Sequence, residues 1–213
     1  MDHPVPFRIF LQWLLLSTVS FAVLVLLWDL HVLQYLLISD STRITGLTVL
    51  VYLFAAVHGG YRSWFLAREH EALQAALDGR PASRLVGRYL LNLDEGVAEN
   101  SVAAEIFAER ARGQHQVGWF VTGVVIKLGL LGTVIGFVLM LGSVSQLDNL
   151  DISDIKMLMQ QMTSGMGVAM NTTLVALVCS ILMGLQYLLL DRSADLLVAG
   201  GVELGQQRLR VLG

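Results

Sequence analysis

The stretch "VGWFVTGVVIKLGLLGTVIGFVLML" (residues 117–141) decides the fold of this chain, because it is long and apolar enough to cross a bilayer as a helix. It nevertheless contains five glycines, two threonines and a lysine, Lys127, which a simple anchor does not need. A similar mixture recurs in residues 165–190, "GMGVAMNTTLVALVCSILMGLQYLLL". Both stretches therefore predict membrane helices with a task beyond anchoring.

Composition assigns the whole chain to the membrane. Of its 213 residues, 55% are hydrophobic and only 15% are charged, with a mean hydropathy of +0.65. Soluble domains rarely reach that balance. Residues 9–28 and 44–66 are also apolar enough to span, and no small-x-small cleavage site follows residues 9–28. The sequence thus predicts an all-α integral membrane protein with four transmembrane helices, the first of them retained.

Basic residues predict the orientation of these spans. Ten arginines fall in residues 1–8, 67–116 and 191–213, whereas the opposite loops hold only Arg43 and Lys156. Because arginine and lysine accumulate on the cytoplasmic side, both termini are expected in the cytoplasm. The predicted organisation is a first transmembrane hairpin (1–66), a cytoplasmic helical segment (67–116), a second hairpin (117–190) and a cytoplasmic tail (191–213).

Local signals predict where the helices outside the membrane end. The sequence Gly79-Arg80-Pro81 should end the helix that extends the second span. The helical pattern before residue 117 is expected to run straight into the third span. "SDIKMLMQQMTSG" (153–165) reads as an amphipathic helix that lies on the membrane surface or leads into the last span. His58 and His115 are expected at the membrane interface, with pH sensing as a second interpretation.

Small residues share one face of each of the last two spans. Helices in lipid gain no hydrophobic energy by meeting, so close association relies on small side chains that let backbones approach. Advancing 100° per residue groups such residues on each helix. The predicted packing residues are Gly129, Gly132, Gly136, Gly165, Ala169 and Ala176.

Hydroxyl and amide side chains accompany these stripes at positions 133, 171, 172 and 173. A threonine can satisfy its hydroxyl on a carbonyl of the preceding turn, which favours a structural role for Thr133, Thr172 and Thr173. Asn171 needs another partner or water. Polar groups inside a membrane also commonly mark ion pathways. The pattern alone leaves both interpretations open.

Two motifs carry a resemblance to a known family. "GLLGTVIGF" (129–137), followed by "GMGVAMNTTLVAL" (165–177), resembles the MotA/TolQ/ExbB proton-channel family over residues 117–192. The resemblance implies a ring, a pentamer in described members, around an ExbD/TolR/MotB-like single-span partner whose membrane aspartate carries the proton. It matches Thr133 and Thr173 to the motif threonines of the ion path, with Thr172 and Asn171 beside them.

The implied function is that of an ion channel or stator subunit. It would lie in the bacterial inner membrane and convert proton flow, or possible Na⁺ flow, into rotation or force. None of the four predicted spans contains an aspartate or glutamate, so a relay carboxylate would come from the partner. The expected partners are other copies of the chain, that single-span protein and lipid, with no nucleic acid.

The sequence departs from the family pattern in three ways. Val168 stands where ExbB- and TolQ-type members carry a membrane glutamate. The four predicted spans match flagellar stators, but the cytoplasmic segment is much shorter than in flagellar MotA. Lys127 replaces an apolar or aromatic residue and points away from the small-residue stripe. A snorkelling or intersubunit lysine and a direct part in the ion path are both open interpretations of Lys127.

Other classes of protein have less support in the sequence. There is no nucleophile–base pair, phosphate loop or metal-ligand cluster, and Cys179 is a single cysteine. We therefore expect no enzyme activity and no cofactor or metal site. A membrane scaffold and a self-sufficient channel or transporter are the alternatives to the motor subunit.

Overall fold

The computed structural model describes residues 6–40, 42–81, 83–94, 100–113, 115–144 and 152–212. These ranges contain helices and short connections, without a β-strand. The helices are α1 (Pro6–Asp29), α2 (Val32–Ser39), α3 (Ile44–Leu77), α4 (Arg84–Asp94), α5 (Asn100–Arg112), α6 (His115–Val144) and α7 (Ile152–Leu212). The predicted all-α class is confirmed.

Three helices have the length and apolar composition needed to cross a membrane. They are Ile44–Leu77, His115–Gly142 and Ile155–Arg210. Residues 9–28, the first predicted span, lie within α1, but the apolar part of that helix, Phe10–Leu26, is shorter. The chain is thus a membrane protein with three such helices in its described part, and the fourth span stays a prediction.

The end of α3 follows its local sequence. Gly79 adopts a left-handed backbone conformation with φ of 75°. The Gly79 amide donates to the Ala76 carbonyl at 3.1 Å, and the Arg80 amide donates to the Ala75 carbonyl at 2.8 Å. This pair of bonds is a Schellman motif, which satisfies carbonyls that the helix leaves open. The predicted helix end at Gly79-Arg80-Pro81 is confirmed.

The expected continuous helix into the third span is wrong. Instead, α5 ends at Arg112 and α6 begins at His115. Gly113, a poor helix former, follows α5. The carbonyl of Ala111 accepts a hydrogen bond from Arg62 of α3 rather than continuing the helical ladder.

Helix α7 is longer than its predicted parts suggested. Residues 153–165, the last span and most of the tail form one uninterrupted helix, Ile152–Leu212. No proline occurs after Pro81, so the sequence contains no strong breaker in this region. Of the two interpretations of residues 153–165, the structure favours the one that leads into the last span.

The chain forms two compact units. Unit 1 combines Met1–Ser17, Val57–Trp119 and Leu185–Gly213, and unit 2 combines Thr18–Ala56 and Phe120–Gly184. Buried side chains in unit 1 include Leu66, Val86, Phe107, Leu190 and Leu197. Buried side chains in unit 2 include Val125, Val168, Thr172, Val175 and Ala176.

Candidate functional site

Glycines of α6 lie directly against α7 in unit 2. A Cβ atom on Gly129 would collide with Ala176, and one on Gly132 would collide with the Thr172 side chain. A Cβ on Gly136 would lie 2.7 Å from a backbone nitrogen and a backbone oxygen of α7. Backbone atoms cannot move aside as a flexible side chain can, so glycine is required for this approach.

The contact continues toward the loop between the two helices. A Cβ on Gly165 would lie 2.9 Å from the Gly136 carbonyl and 3.0 Å from the Met140 amide. Because increasing numbers on α6 meet decreasing numbers on α7, the two helices run antiparallel. The structure brings all six predicted packing residues together within one chain: Gly129, Gly132, Gly136, Gly165, Ala169 and Ala176. A further role for these residues at a ring interface stays a prediction.

Two adjacent threonines of α7 have different environments. Thr173 Oγ1 donates to the Gly129 carbonyl at 3.2 Å, which links the two motifs across the helix pair. Thr172 is fully buried, and its Oγ1 lies 3.0 Å from the Val168 carbonyl and 3.1 Å from the Ala169 carbonyl of its own helix. Thr173 thus contacts the other helix through its hydroxyl, whereas Thr172 contacts it through its packed side chain.

The remaining predicted residues lie at the edge of this contact or outside it. Thr133 is partly exposed and donates to the Leu130 carbonyl at 2.6 Å. Asn171 is partly exposed on α7, and Lys127 is exposed on α6. Val168 is buried. The structure therefore brings Thr172 and Thr173 into the helix contact, whereas Asn171 and Lys127 are known only to be partly exposed and exposed on their helices.

This arrangement can solvate an ion but cannot relay a proton through a carboxyl group of its own. Each threonine hydroxyl donates its hydrogen to a carbonyl, so its oxygen retains lone pairs that can accept from water or from a protonated carboxyl. The last two predicted spans contain no acidic residue. A carboxylate that carries a proton at this depth would have to come from outside these two spans.

Unit 1 holds a second group of polar contacts, of whose members the sequence analysis named only His115, at the membrane interface. Arg62 Nη2 donates to the Ala111 carbonyl at 2.7 Å and lies 3.3 Å from His115 Nε2. His115 Nδ1 lies 2.8 Å from Asp191 Oδ1, an ion-pair distance with poor hydrogen-bond geometry. Trp119 Nε1 donates to Asp191 Oδ2 at 2.6 Å. We call these five residues the junction cluster.

The expectation that His115 lies at the membrane interface did not anticipate its burial. Only 2% of the His115 side chain is exposed, and Arg62 is also buried. The sequence signal was an arginine at the end of an apolar segment and a histidine at the start of the next. The partners could not be identified, because they are contributed by four different helices.

These features define a class: an all-α membrane protein whose last two membrane helices are held together by glycine and threonine contacts. The family model of the MotA/TolQ/ExbB proton channel family matches residues 83–200, more than half of the chain, and the chain belongs to this family. The match extends from just before α4 into α7 and exceeds the region that the motifs indicated. Neither the curated proteins nor the solved structures give a significant match.

Proposed function

We propose that this chain is the ring-forming ion-channel subunit of a proton-driven motor in the bacterial inner membrane, with both termini in the cytoplasm. The observation that carries the proposal is the bond from Thr173 to the Gly129 carbonyl, which joins the two family motifs at one place. A hydroxyl at this depth can solvate a moving ion, because its oxygen still has a lone pair to offer.

The ion carrier in this proposal is the aspartate of an ExbD/TolR/MotB-like single-span partner. Because the four predicted spans contain no acidic residue, the chain can line a path there but cannot bind the proton on a carboxylate of those spans. Thr133, Thr173 and Asn171 offer polar atoms to the carrier, and Thr172 holds α7 against Gly132 beside them. The division of roles places the titrating group on the partner and the solvating groups on the ring.

The family resemblance implies assembly into a ring, and the exposed surface of α6 is compatible with it. Large apolar side chains on that helix remain uncovered within one chain, among them Leu130, Val134, Phe137 and Val138. Lipid or neighbouring subunits can cover such a surface without loss of solvation energy. A pentamer around the partner would then convert ion flow into rotation or force.

The test is proton flux in proteoliposomes that contain the chain and its co-expressed partner. The double substitution Thr133→Val and Thr173→Val keeps side-chain shape but removes both hydroxyls. Loss of hydrogen bonds to a charged group should lower flux about tenfold or more, with ring assembly unchanged. Lys127→Met is the companion variant, and we expect it to conduct normally because Lys127 is exposed and lies, at 100° per residue, on the face of α6 opposite Gly129 and Gly136.

Each contrary result identifies an alternative. Unchanged flux in an assembled double variant would remove the threonines from the ion path. Assembly without flux in the parent complex would favour the scaffold, and flux without any partner would favour a self-sufficient channel. Replacing Na⁺ by an impermeant cation in the same vesicles distinguishes the two candidate ions.

A further inference from the structure

The hydrogen-bond roles in the junction cluster assign a protonation state to His115. Arginine has donors only, so the His115 Nε2 that faces Arg62 must be the acceptor. The ring hydrogen then resides on Nδ1, where it faces the Asp191 carboxylate at 2.8 Å. His115 is therefore neutral in this arrangement, with one nitrogen directed at a cation and the other at an anion.

The charged members of the cluster also match the helix ends that they contact. Arg62 donates to the carbonyl of Ala111 in the last turn of α5, where the helix dipole is negative. The Asp191 carboxylate accepts a hydrogen bond from Trp119 Nε1 and faces His115. Trp119 and His115 lie in the first two turns of α6, where the helix dipole is positive. Arg62 on α3 and Asp191 on α7 thus hold the end of α5 beside the beginning of α6.

Protonation of His115 would break this pattern. A hydrogen on Nε2 would point at the guanidinium group 3.3 Å away and place two cations together. Arg62 and His115 are both buried, so their repulsion is poorly screened, whereas Asp191 is 34% exposed and its attraction is partly screened by solvent. The protonated ring would therefore lose its contact with Arg62.

Other groups around the ring do not supply a compensating negative charge. Asp195 already forms an ion pair with Arg112 of α5 at 2.7 Å. The second histidine nearby, His58, lies on α3 one turn before Arg62. The groups that face His115 or its immediate partners are Arg62 and His58 of α3, the Ala111 carbonyl of α5, Trp119 of α6, and Asp191 and Tyr187 of α7.

We propose that His115 is a proton-responsive latch: its protonation from the cytoplasmic side releases Arg62 and frees the end of α5 from the first turn of α6. The latch is a property of unit 1 and does not require ion flow.

The test is backbone hydrogen exchange of the full-length chain in its purified complex at about pH 5.5 and about pH 7.5, the range in which histidine titrates. Rates are corrected for intrinsic exchange. Protection of the first turns of α6 should fall by up to about tenfold per pH unit below the His115 midpoint, since one proton is linked to opening. His115→Gln keeps a neutral acceptor and should abolish this response, while the control His58→Gln should retain it.

The neighbouring charges provide a second measurement. Arg62→Met removes the donor to the Ala111 carbonyl together with the repelling cation, so protection should be low at both pH values, whereas Asp191→Asn removes the attracting anion and should move the midpoint to lower pH. Equal protection at both pH values in the parent complex would overturn the latch. A pH response that survives in His115→Gln or in Arg62→Met would also overturn it, as would an Asp191→Asn midpoint that moves to higher pH. A parent complex that shows the response but conducts no ions would contradict the proposed function and leave the latch intact.

Discussion

Two buried charged side chains of unit 1 form hydrogen bonds with unpaired backbone groups at the ends of short helices. The Glu69 carboxylate accepts hydrogen bonds from the amides of Leu85 and Val86, at 3.1 and 3.4 Å, in the first turn of α4. Arg62 does the converse at the last turn of α5, where its guanidinium donates a hydrogen bond to the Ala111 carbonyl. Helix ends leave amides and carbonyls without partners, and burial makes each unpaired group costly. The long helix α3 therefore caps two shorter helices.

Glu69 provides a pH-dependent prediction at this scale. Burial raises the pKa of Glu69 above its ordinary value of 4.5, although the hydrogen bonds from Val86 and Leu85 and the charge of Arg84 oppose that rise. A raised carboxyl pKa contributes stability that is present below 4.5 and lost as pH rises through the folded-state value. Glu69→Gln keeps an acceptor without a charge, so its thermal midpoint should increase relative to the parent chain as pH rises.

The measurement is thermal unfolding of the detergent-solubilised chain at several pH values. Glu71→Gln, on an exposed position of the same helix, is the matched control and should show no such trend. Glu69→Ala removes the acceptor as well and should cost about 1 kcal/mol, typical of a lost helix cap. A Gln variant whose advantage shrinks with rising pH would contradict the assigned direction.

The pair formed by α6 and α7 shows what sequence patterns can and cannot predict about an element. Helical periodicity grouped Gly129, Gly132 and Gly136 on one face, because a face depends only on residues within the helix. The end of α3 was also predictable, since Gly79 supplies its own conformation. The break after Arg112 was not predicted, because Gly113 is only a weak local signal and the bond from Arg62 to the Ala111 carbonyl comes from a residue distant in the sequence.

The same distinction applies to the candidate site. The sequence indicated which residues carry hydroxyls, but not which of two adjacent threonines would bond across the helix pair. Successive residues of a helix point about 100° apart around its axis. The Thr173 hydroxyl therefore bonds to α6, whereas the Thr172 hydroxyl bonds to its own helix. The orientation of α7 about its own axis is set by its packing against α6, and no local sequence rule specifies it.

Glycine substitutions test the helix pair directly. In Gly136→Ala the new Cβ would lie 2.7 Å from backbone atoms of α7, so the helices must separate. We expect a loss of about 1–3 kcal/mol, as for other overpacked sites. Gly123→Ala, on the same helix but with open space around it, should be neutral or slightly stabilising because alanine favours helix. Thermal unfolding of both variants in detergent is the measurement, and equal midpoints would contradict the close contact.

At the scale of the whole molecule, the family region depends on helices that lie outside it. The family match begins at residue 83, whereas α3 ends before it, at Leu77. Yet His70 Nε2 lies 3.1 Å from the Ser193 carbonyl of α7, and Leu73 lies against Gly200. Within unit 1, α3 is thus part of the same core as the matched helices α4, α5 and α7. Residues before the family region are structural components of the subunit.

The last prediction concerns the assembled complex. Co-expression with a single-span protein that carries a membrane aspartate should give a stable complex containing a pentamer of the 23.4 kDa chain, as measured by native mass spectrometry. The partner should be needed for conduction, because the four predicted spans contain no acidic residue. An Asp→Asn change in the partner should therefore leave the mass unchanged and abolish proton flux, since the amide cannot bind and release the proton. Flux that persists with the amide would show that the carrier is not the partner's carboxylate, and a different copy number would contradict the pentamer.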